Sequence, residues 1–329
     1  MGAQLLRDSN PALKYGAKIL PNEILGGATI FGDSWYVDPT NGSDDDTGDT
    51  PERAFATIGA ANTAMATNNH DVAYLTGYAA HAQTSMLTIT KSRVHFVGCS
   101  LRGGSIGMGA RTRVTMGDST VSADIAVMQN TGVGNTFNNI KFDTSSTVAA
   151  SLYGIVEAGE YAIYEGCELY KSSDLNDAGA SELALNGDSA QFLNCTIGSS
   201  ANETGNIRAN VLCTGGIVTG KKLRDCYFQN CMLLGKADDT DKVFVYGANA
   251  TDVERSLTFK GCTFFNNPLS AGTPAAAIAF GAAQTQGAVF CDGLCACVDC
   301  SVMGTTGQNI FVIQQDGATY ATAGLSAQS

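Results

Sequence analysis

The sequence predicts an all-β chain, a parallel β-solenoid with an N-terminal extended arm and a short capping helix. Three observations predict it. A ten-residue phrase built around cysteine recurs along the chain, as in "AIYEGCELYK" at 162–171 and "LTFKGCTFFN" at 257–266. The residue before the cysteine is always Gly, Asn or Asp. The 329 residues include 38 glycines and only 6 prolines, which suits an ordered protein with many tight turns.

Seven copies align on one slot: Cys99, Ile140, Cys167, Cys195, Cys226, Cys262 and Cys300. Three residues earlier stand Phe96, Phe137, Tyr164, Phe192, Leu223, Phe259 and Cys297, and two residues later stand Leu101, Phe142, Leu169, Ile197, Phe228, Phe264 and Val302. Immediately before the slot come Gly98, Asn139, Gly166, Asn194, Asp225, Gly261 and Asp299. These residue types enter the left-handed αL region most cheaply. One such residue turns a corner between strands and shifts the inward spacing from two to three. The slots lie 27 to 41 residues apart, which is one solenoid coil plus a variable loop. Stacking at about 4.8 Å per coil then makes the slot a ladder of small apolar side chains, a role suited to free cysteine. Ile140 in the same column fits packing and not ligation.

Residues 1–32 form the arm. Leu5, Leu6, Leu13, Tyr15, Ile19, Leu20, Ile24 and Leu25 are its apolar residues, and Pro11 and Pro21 interrupt any long helix. Such a segment cannot bury these side chains alone, so they are the expected partner-binding residues. Residues 33–69 hold a lead-in strand, the acidic loop "NGSDDDTGD" at 41–49, and a helix expected to start with Thr50 as N-cap and Pro51 at its first turn. That helix covers the open edge of the first coil. The solenoid proper is expected over 70–304, beginning with a strand in "HDVAYLTG". Residues 305–329 are read as a tail with a hairpin around Asp316-Gly317.

Composition excludes several classes. A net charge of −12 argues against binding a nucleic-acid backbone. No run of about 18 apolar residues is present to span a membrane. Charges interrupt the first thirty residues, so no secretory signal peptide is expected, and 11 cysteines without one point to folding in a reducing compartment.

Four places in the sequence offer candidate chemistry. Cys291, Cys295, Cys297 and Cys300 lack the paired C-x2-C spacing of zinc knuckles, which favours core packing. The acidic loop lacks the spacing of a calcium-binding EF-hand, which favours a solvated turn. His70, His81 and His95 have no serine or carboxylate motif attached. Lys221, Lys222 and Arg224 form the densest basic group, beside Asp225 at an expected core corner. No metal, cofactor or catalytic residue is expected. A carboxylate pair placed across a groove by different coils stays open, because such a pair leaves no local motif.

The segment "IFGDSWYVDPTNGSDDDTGDTPERAFATIGAA" at 30–61 resembles the lead-in of right-handed parallel β-helix proteins of the pectate-lyase-like superfamily. In particular it resembles a group of tailed-phage virion proteins. The elements that carry the likeness are Trp35 to Asp38, Asn41 to Asp44, and Pro51 to Ile58. The Asn-Thr-Asp and Gly-His-Gly motifs of the family's polygalacturonases are missing. The resemblance implies a structural virion protein: a homotrimer that folds in the host cytoplasm and decorates the outer capsid surface by binding the major capsid protein. The alternative it implies is a short tailspike or adhesin that binds or cleaves a host-surface glycan.

Overall fold

A computed structural model describes residues 32–100, 112–119, 121, 123–146, 152–172, 179–201, 209–267, 269, 271–305 and 308–312. Residues 1–31 of the N-terminal arm therefore lie outside the described residues, as does the 313–329 part of the tail. The described strands make three parallel sheets in which every third strand along the chain is a neighbour. Sheet A has ten strands, from Ser34–Val37 to Ile310–Val312. Sheet B has eight, from His81–Gln83 to Ala296–Val298, and sheet C has seven, from Leu87–Ile89 to Ile278–Phe280. One coil shows the path: Thr136–Asn138 lies in A, Ile140–Thr144 in B and Tyr153–Glu157 in C, and Ile163–Glu165 returns to A. The chain is an all-β parallel β-helix with one α-helix among the described residues.

The corner from A to B is a single αL residue. Asn139, Gly166, Asn194, Asn230 and Gly261 hold it with φ between 52° and 59°. Just before it, Phe137, Tyr164, Phe192, Phe228 and Phe259 stack face to face down the interior, with successive centroids 4.7, 4.8, 4.6 and 4.8 Å apart. Just after it comes the slot. Its thiols donate to the carbonyl of the aromatic residue one coil earlier: Cys167 to Phe137 at 3.3 Å, Cys195 to Tyr164 at 3.4 Å, Cys231 to Phe192 at 3.2 Å, Cys262 to Phe228 at 3.5 Å and Cys295 to Phe259 at 3.4 Å.

The structure corrects three of the seven expected slot residues. Asp225 and Asn230 are both αL residues followed by cysteine. Asp225 turns the corner from C to A, however, and only Asn230 turns the corner from A to B. Phe228 pairs with Phe192 and with Phe259, so the slot in that coil is Cys231. Cys226 is instead buried at the start of the sheet A strand, opposite Leu257. In the last coil Cys297 pairs with Phe264, two residues past Cys262, which makes Cys295 the slot. Cys300 falls beyond the strand, after Asp299, and is half-buried. Near the N-terminal end Thr112 pairs with Ile140 and sits fully buried under it, its hydroxyl reaching the Leu75 carbonyl at 3.4 Å. Cys99 is left exposed outside the column.

The ends also differ from expectation. A 3-10 turn, Pro51–Arg53, with Thr50 at its N-cap position but no side-chain capping bond, precedes a shorter helix, Ile58–Ala64, whose N-cap is Thr57 accepting from the Ala60 amide at 3.1 Å. Phe55 explains the break. It makes a parallel bridge to Val37, donates its amide to Tyr36 and stacks on Trp35, which pulls it out of helical conformation. Ser34–Val37 pairs in parallel with Val72–Leu75, so the first rung of sheet A precedes residue 70. Ile310–Val312 likewise adds a parallel rung on Ala288–Cys291, and the turn expected at Asp316-Gly317 lies outside the described residues.

Candidate functional site

The corner from sheet C to sheet A carries a row of charged side chains of both signs. Its turns stack in register, with Glu160 bridging Asp188 and Asp188 bridging Arg224. The next residue in each turn is αL: Tyr161 (φ 56°), Ser189 (56°) and Asp225 (47°). Their amides donate to the coil above, Tyr161 to Asp188 at 2.8 Å and Ser189 to Arg224 at 2.7 Å. The backbone thus fixes a row of side chains at one coil spacing, all directed outward.

Those side chains pair along the row. Arg224 Nε donates to Glu254, and its Nη1 lies 3.8 Å from Asp188. Arg255 Nη2 lies 2.7 Å from Asp225 and 3.6 Å from Asp188. Lys221 Nζ lies 3.0 Å from Glu160. Exposed ion pairs of this kind contribute only about 0–1 kcal/mol each to stability, so folding alone does not account for the concentration. Arg224, Glu254, Arg255 and Gln286 line an open groove of about 470 Å³, and Tyr161 stands exposed on the same corner.

The electrostatics suit binding more than proton transfer. The hydrogen bond from Arg224 holds the Glu254 carboxyl below its ordinary pKa, and the same bond raises Arg224. A general acid needs the opposite, a carboxyl kept protonated near neutral pH. Glu157 is the described carboxyl raised into that range, to about 7, because burial disfavours its charge. It is fully buried and its hydrogen bonds are internal: from Asn130 Nδ2 at 2.9 and 3.1 Å, from the Gly159 amide at 2.6 Å and from Tyr164 at 2.5 Å. On the outer face of sheet C, Val156, Ala184 and Leu212 pack with Ile217 and Val218 as a second apolar cluster, and Gln129 and Glu182 share that face.

The other candidates from the sequence have structural partners. Asp38 accepts from the amides of Thr40 and Asn41 and from Tyr78, Asp44 accepts from Thr57, and Asp49 accepts from Arg53. His81 contacts the Thr76 carbonyl at 2.9 Å. His95 contacts Thr136 at 2.7 Å and His70 at 3.1 Å, and burial together with His70 lowers its pKa to about 4. Cys291 and Cys295 are buried, while Cys297 and Cys300 are half-buried. Leu5, Leu6, Leu13, Tyr15, Ile19, Leu20, Ile24 and Leu25 lie outside the described residues. The groove itself escaped sequence reasoning, although a signal existed: Arg224-Asp225 and Glu254-Arg255 are oppositely charged dipeptides one coil apart.

No protein-family model matches the sequence, and no curated protein sequence matches it. Solved structures do match in shape. A pectin methylesterase from Aspergillus niger aligns with a TM-score of 0.59 at 12% identity, over 92% of this chain and 90% of that one. A pectate lyase aligns with a TM-score of 0.58 at 13% identity, over 93% and 75%. A pectin methylesterase solved in complex with a hexasaccharide aligns with a TM-score of 0.54 at 12% identity, over 87% and 82%. At such identities the likeness defines the fold, a pectate-lyase-like parallel β-helix.

Proposed function

We propose that this chain is a glycan-binding adhesin of the spike type, and that an extended saccharide lies along the ionic corner between sheets C and A. The observation that carries the reading is the open groove lined by Arg224, Glu254, Arg255 and Gln286. Two guanidinium forks and an amide supply directional donors, and the carboxylates supply acceptors, which together match the hydroxyls and acid groups of a sugar chain. Exposed Tyr161 adds an apolar face for a ring. The solved relatives in shape are named for pectin and pectate, and one holds a hexasaccharide. The role assigned to the groove is binding, because its carboxylate Glu254 is ion-paired and ionised.

The test is a panel of bacterial capsular and O-antigen polysaccharides with oligogalacturonate alongside, read for binding and for loss of chain length. Retention of one polysaccharide without shortening is expected. Shortening would replace the adhesin with an enzyme.

A second reading has one observation of its own. The outer face of sheet B presents Leu234, Phe265 and Val298 in register, with Met232 beside them opposite Thr263 and Leu294 exposed nearby. Contiguous apolar surface of this kind marks protein contacts. It favours a structural virion protein that sits as a homotrimer on the major capsid protein lattice, with residues 1–32 as anchor. Deleting 1–28 then abolishes incorporation into capsids. Full occupancy by the truncated chain would remove the arm from that role.

A further inference from the structure

We propose that a pyranose ring seats on the outer face of sheet A, in a notch walled by Tyr227 and Phe290 and floored by Thr258. The seat rests on the saccharide reading of the adjoining groove and extends it to the apolar face of one sugar ring. Three consecutive rungs build it: Tyr227 pairs with Thr258, and Thr258 pairs with Phe290. Their strand neighbours Cys226, Phe228, Leu257, Phe259, Val289 and Cys291 are buried in the core. Alternation along each strand therefore turns Tyr227, Thr258 and Phe290 outward, where all three are half-buried. A short side chain thus stands between two rings. Both walls are braced. Phe311 stacks on the far side of Phe290, with centroids 5.5 Å and planes 20° apart. Tyr227 Oη donates to Gln229 Oε1 at 3.2 Å, which lays that ring along its strand.

Spacing and polarity select the occupant. Two rungs separate the walls by about 9.6 Å, so a ring centred over Thr258 lies about 4.8 Å from each. The interior ladder shows that this spacing is one of contact, since its rings stack at 4.6 to 4.8 Å. A pyranose carries C–H groups on its faces and hydroxyls around its rim. The notch offers aromatic walls to the faces and polar groups to the rim: Arg255 and Gln286 at one end, Gln229 and exposed Lys260 at the other. An aromatic side chain of a partner protein would fill the walls but leave those polar ends unmatched. The notch is also continuous with the groove. Arg224, Arg255 and Gln286 stand three or four residues before Tyr227, Thr258 and Phe290 and lead into the same three strands. A saccharide chain leaving the groove therefore passes directly over the notch.

The test is saturation-transfer NMR on the native protein, irradiating its aromatic protons in the presence of the methyl pyranosides of glucose, galactose, mannose and rhamnose. Transfer to the ring protons of at least one sugar is expected, and its loss in Phe290→Ala and in Thr258→Phe. The second variant fills the notch with a ring at stacking distance from both walls, so it is expected to melt no lower than the parent. Loss of transfer in a variant of undiminished stability cannot come from unfolding. Transfer to none of the four sugars would overturn the proposal, as would full transfer in Thr258→Phe. If a methyl pyranoside occupies the notch while no polysaccharide is retained, the groove reading fails and the notch stands.

Discussion

Tyr164 donates its phenolic hydroxyl to the Glu157 carboxyl at 2.5 Å inside the solenoid, where neither side chain reaches solvent. The contact extends a polar chain that crosses coils. The Lys91 carbonyl accepts from Asn135, Asn135 donates to Asn130, and Asn130 donates to both Glu157 oxygens. A buried network of this kind is tolerated only because its polar atoms find partners.

The carboxyl makes stability depend on pH. Burial raises Glu157 from 4.5 to about 7, so the folded state holds a proton that the unfolded state has lost within that window. Its contribution is complete below pH 4.5 and disappears as pH rises through 7, a change of about 3 kcal/mol. His95 acts in the opposite sense. Burial lowers it from 6.5 to about 4, so its contribution is present above pH 6.5 and lost as pH falls through 4. The two slopes offset each other in the parent protein, and the difference between parent and Glu157→Gln isolates the carboxyl. Urea unfolding should show the variant gaining about 3 kcal/mol relative to the parent between pH 4.5 and 8. A constant difference across that range would mean that Glu157 stays ionised in the fold.

The interior ladder yields a second expectation. Phe228→Ala removes a ring stacked between Phe192 and Phe259 and should cost about 3–5 kcal/mol. Cys195→Ser should cost within about 1 kcal/mol, because a hydroxyl can make the bond that the thiol makes to the Tyr164 carbonyl. Thr112 already places a hydroxyl in this column, on the Leu75 carbonyl. Denaturant midpoints decide the matter, and a serine variant as damaged as the alanine at 228 would show that the slot excludes hydroxyls.

The coil was legible because one αL residue per corner imposes the same composition on every copy. Gly166, Asn194 and Gly261 mark the corner from A to B, and Tyr164, Phe192 and Phe259 precede it at fixed spacing. The register failed where that signal is duplicated or interrupted. Asp225-Cys226 and Asn230-Cys231 carry the same local signature, and only the stacking of Phe228 across coils separates them. The inserted segment before Thr112 hid the residue that packs under Ile140. The groove was harder still to see. Its members share no motif, because Arg224 and Glu254 meet only when consecutive coils stack.

Thiol accessibility follows from the corrected register. Burial pushes Cys195 and Cys213 well above the ordinary thiol pKa, and pushes Cys226 to about 12. Timed alkylation of the native protein should modify half-buried Cys297 before any core thiol, while desolvation, which pushes Cys99 up to about 11, slows that residue despite its surface position. Cys167, Cys195, Cys226 and Cys231 should react only on unfolding. Early labelling of Cys231 would contradict its place in the ladder.

The groove separates binding from stability, and that separation makes it testable. Arg224 is 41% exposed in its side chain and Arg255 is 55% exposed. Their ion pairs are screened by solvent and contribute little to folding. Arg224→Ala and Arg255→Ala should therefore change stability by no more than about 1 kcal/mol each. A saccharide held by both guanidinium forks loses directional bonds in either variant, and affinity should fall about tenfold or more, equivalent to about 1.4 kcal/mol. Arg224→Lys keeps the charge but not the planar fork, so its loss should lie between those of the parent and the alanine variant. If the ligand carries acid groups, raising the salt concentration should weaken the parent more than the alanine variants. Calorimetric titration of each variant with the polysaccharide retained by the parent reads all of these. Unchanged affinity in both alanine variants would move the saccharide off this corner, and a matching loss of stability would make the arginines structural.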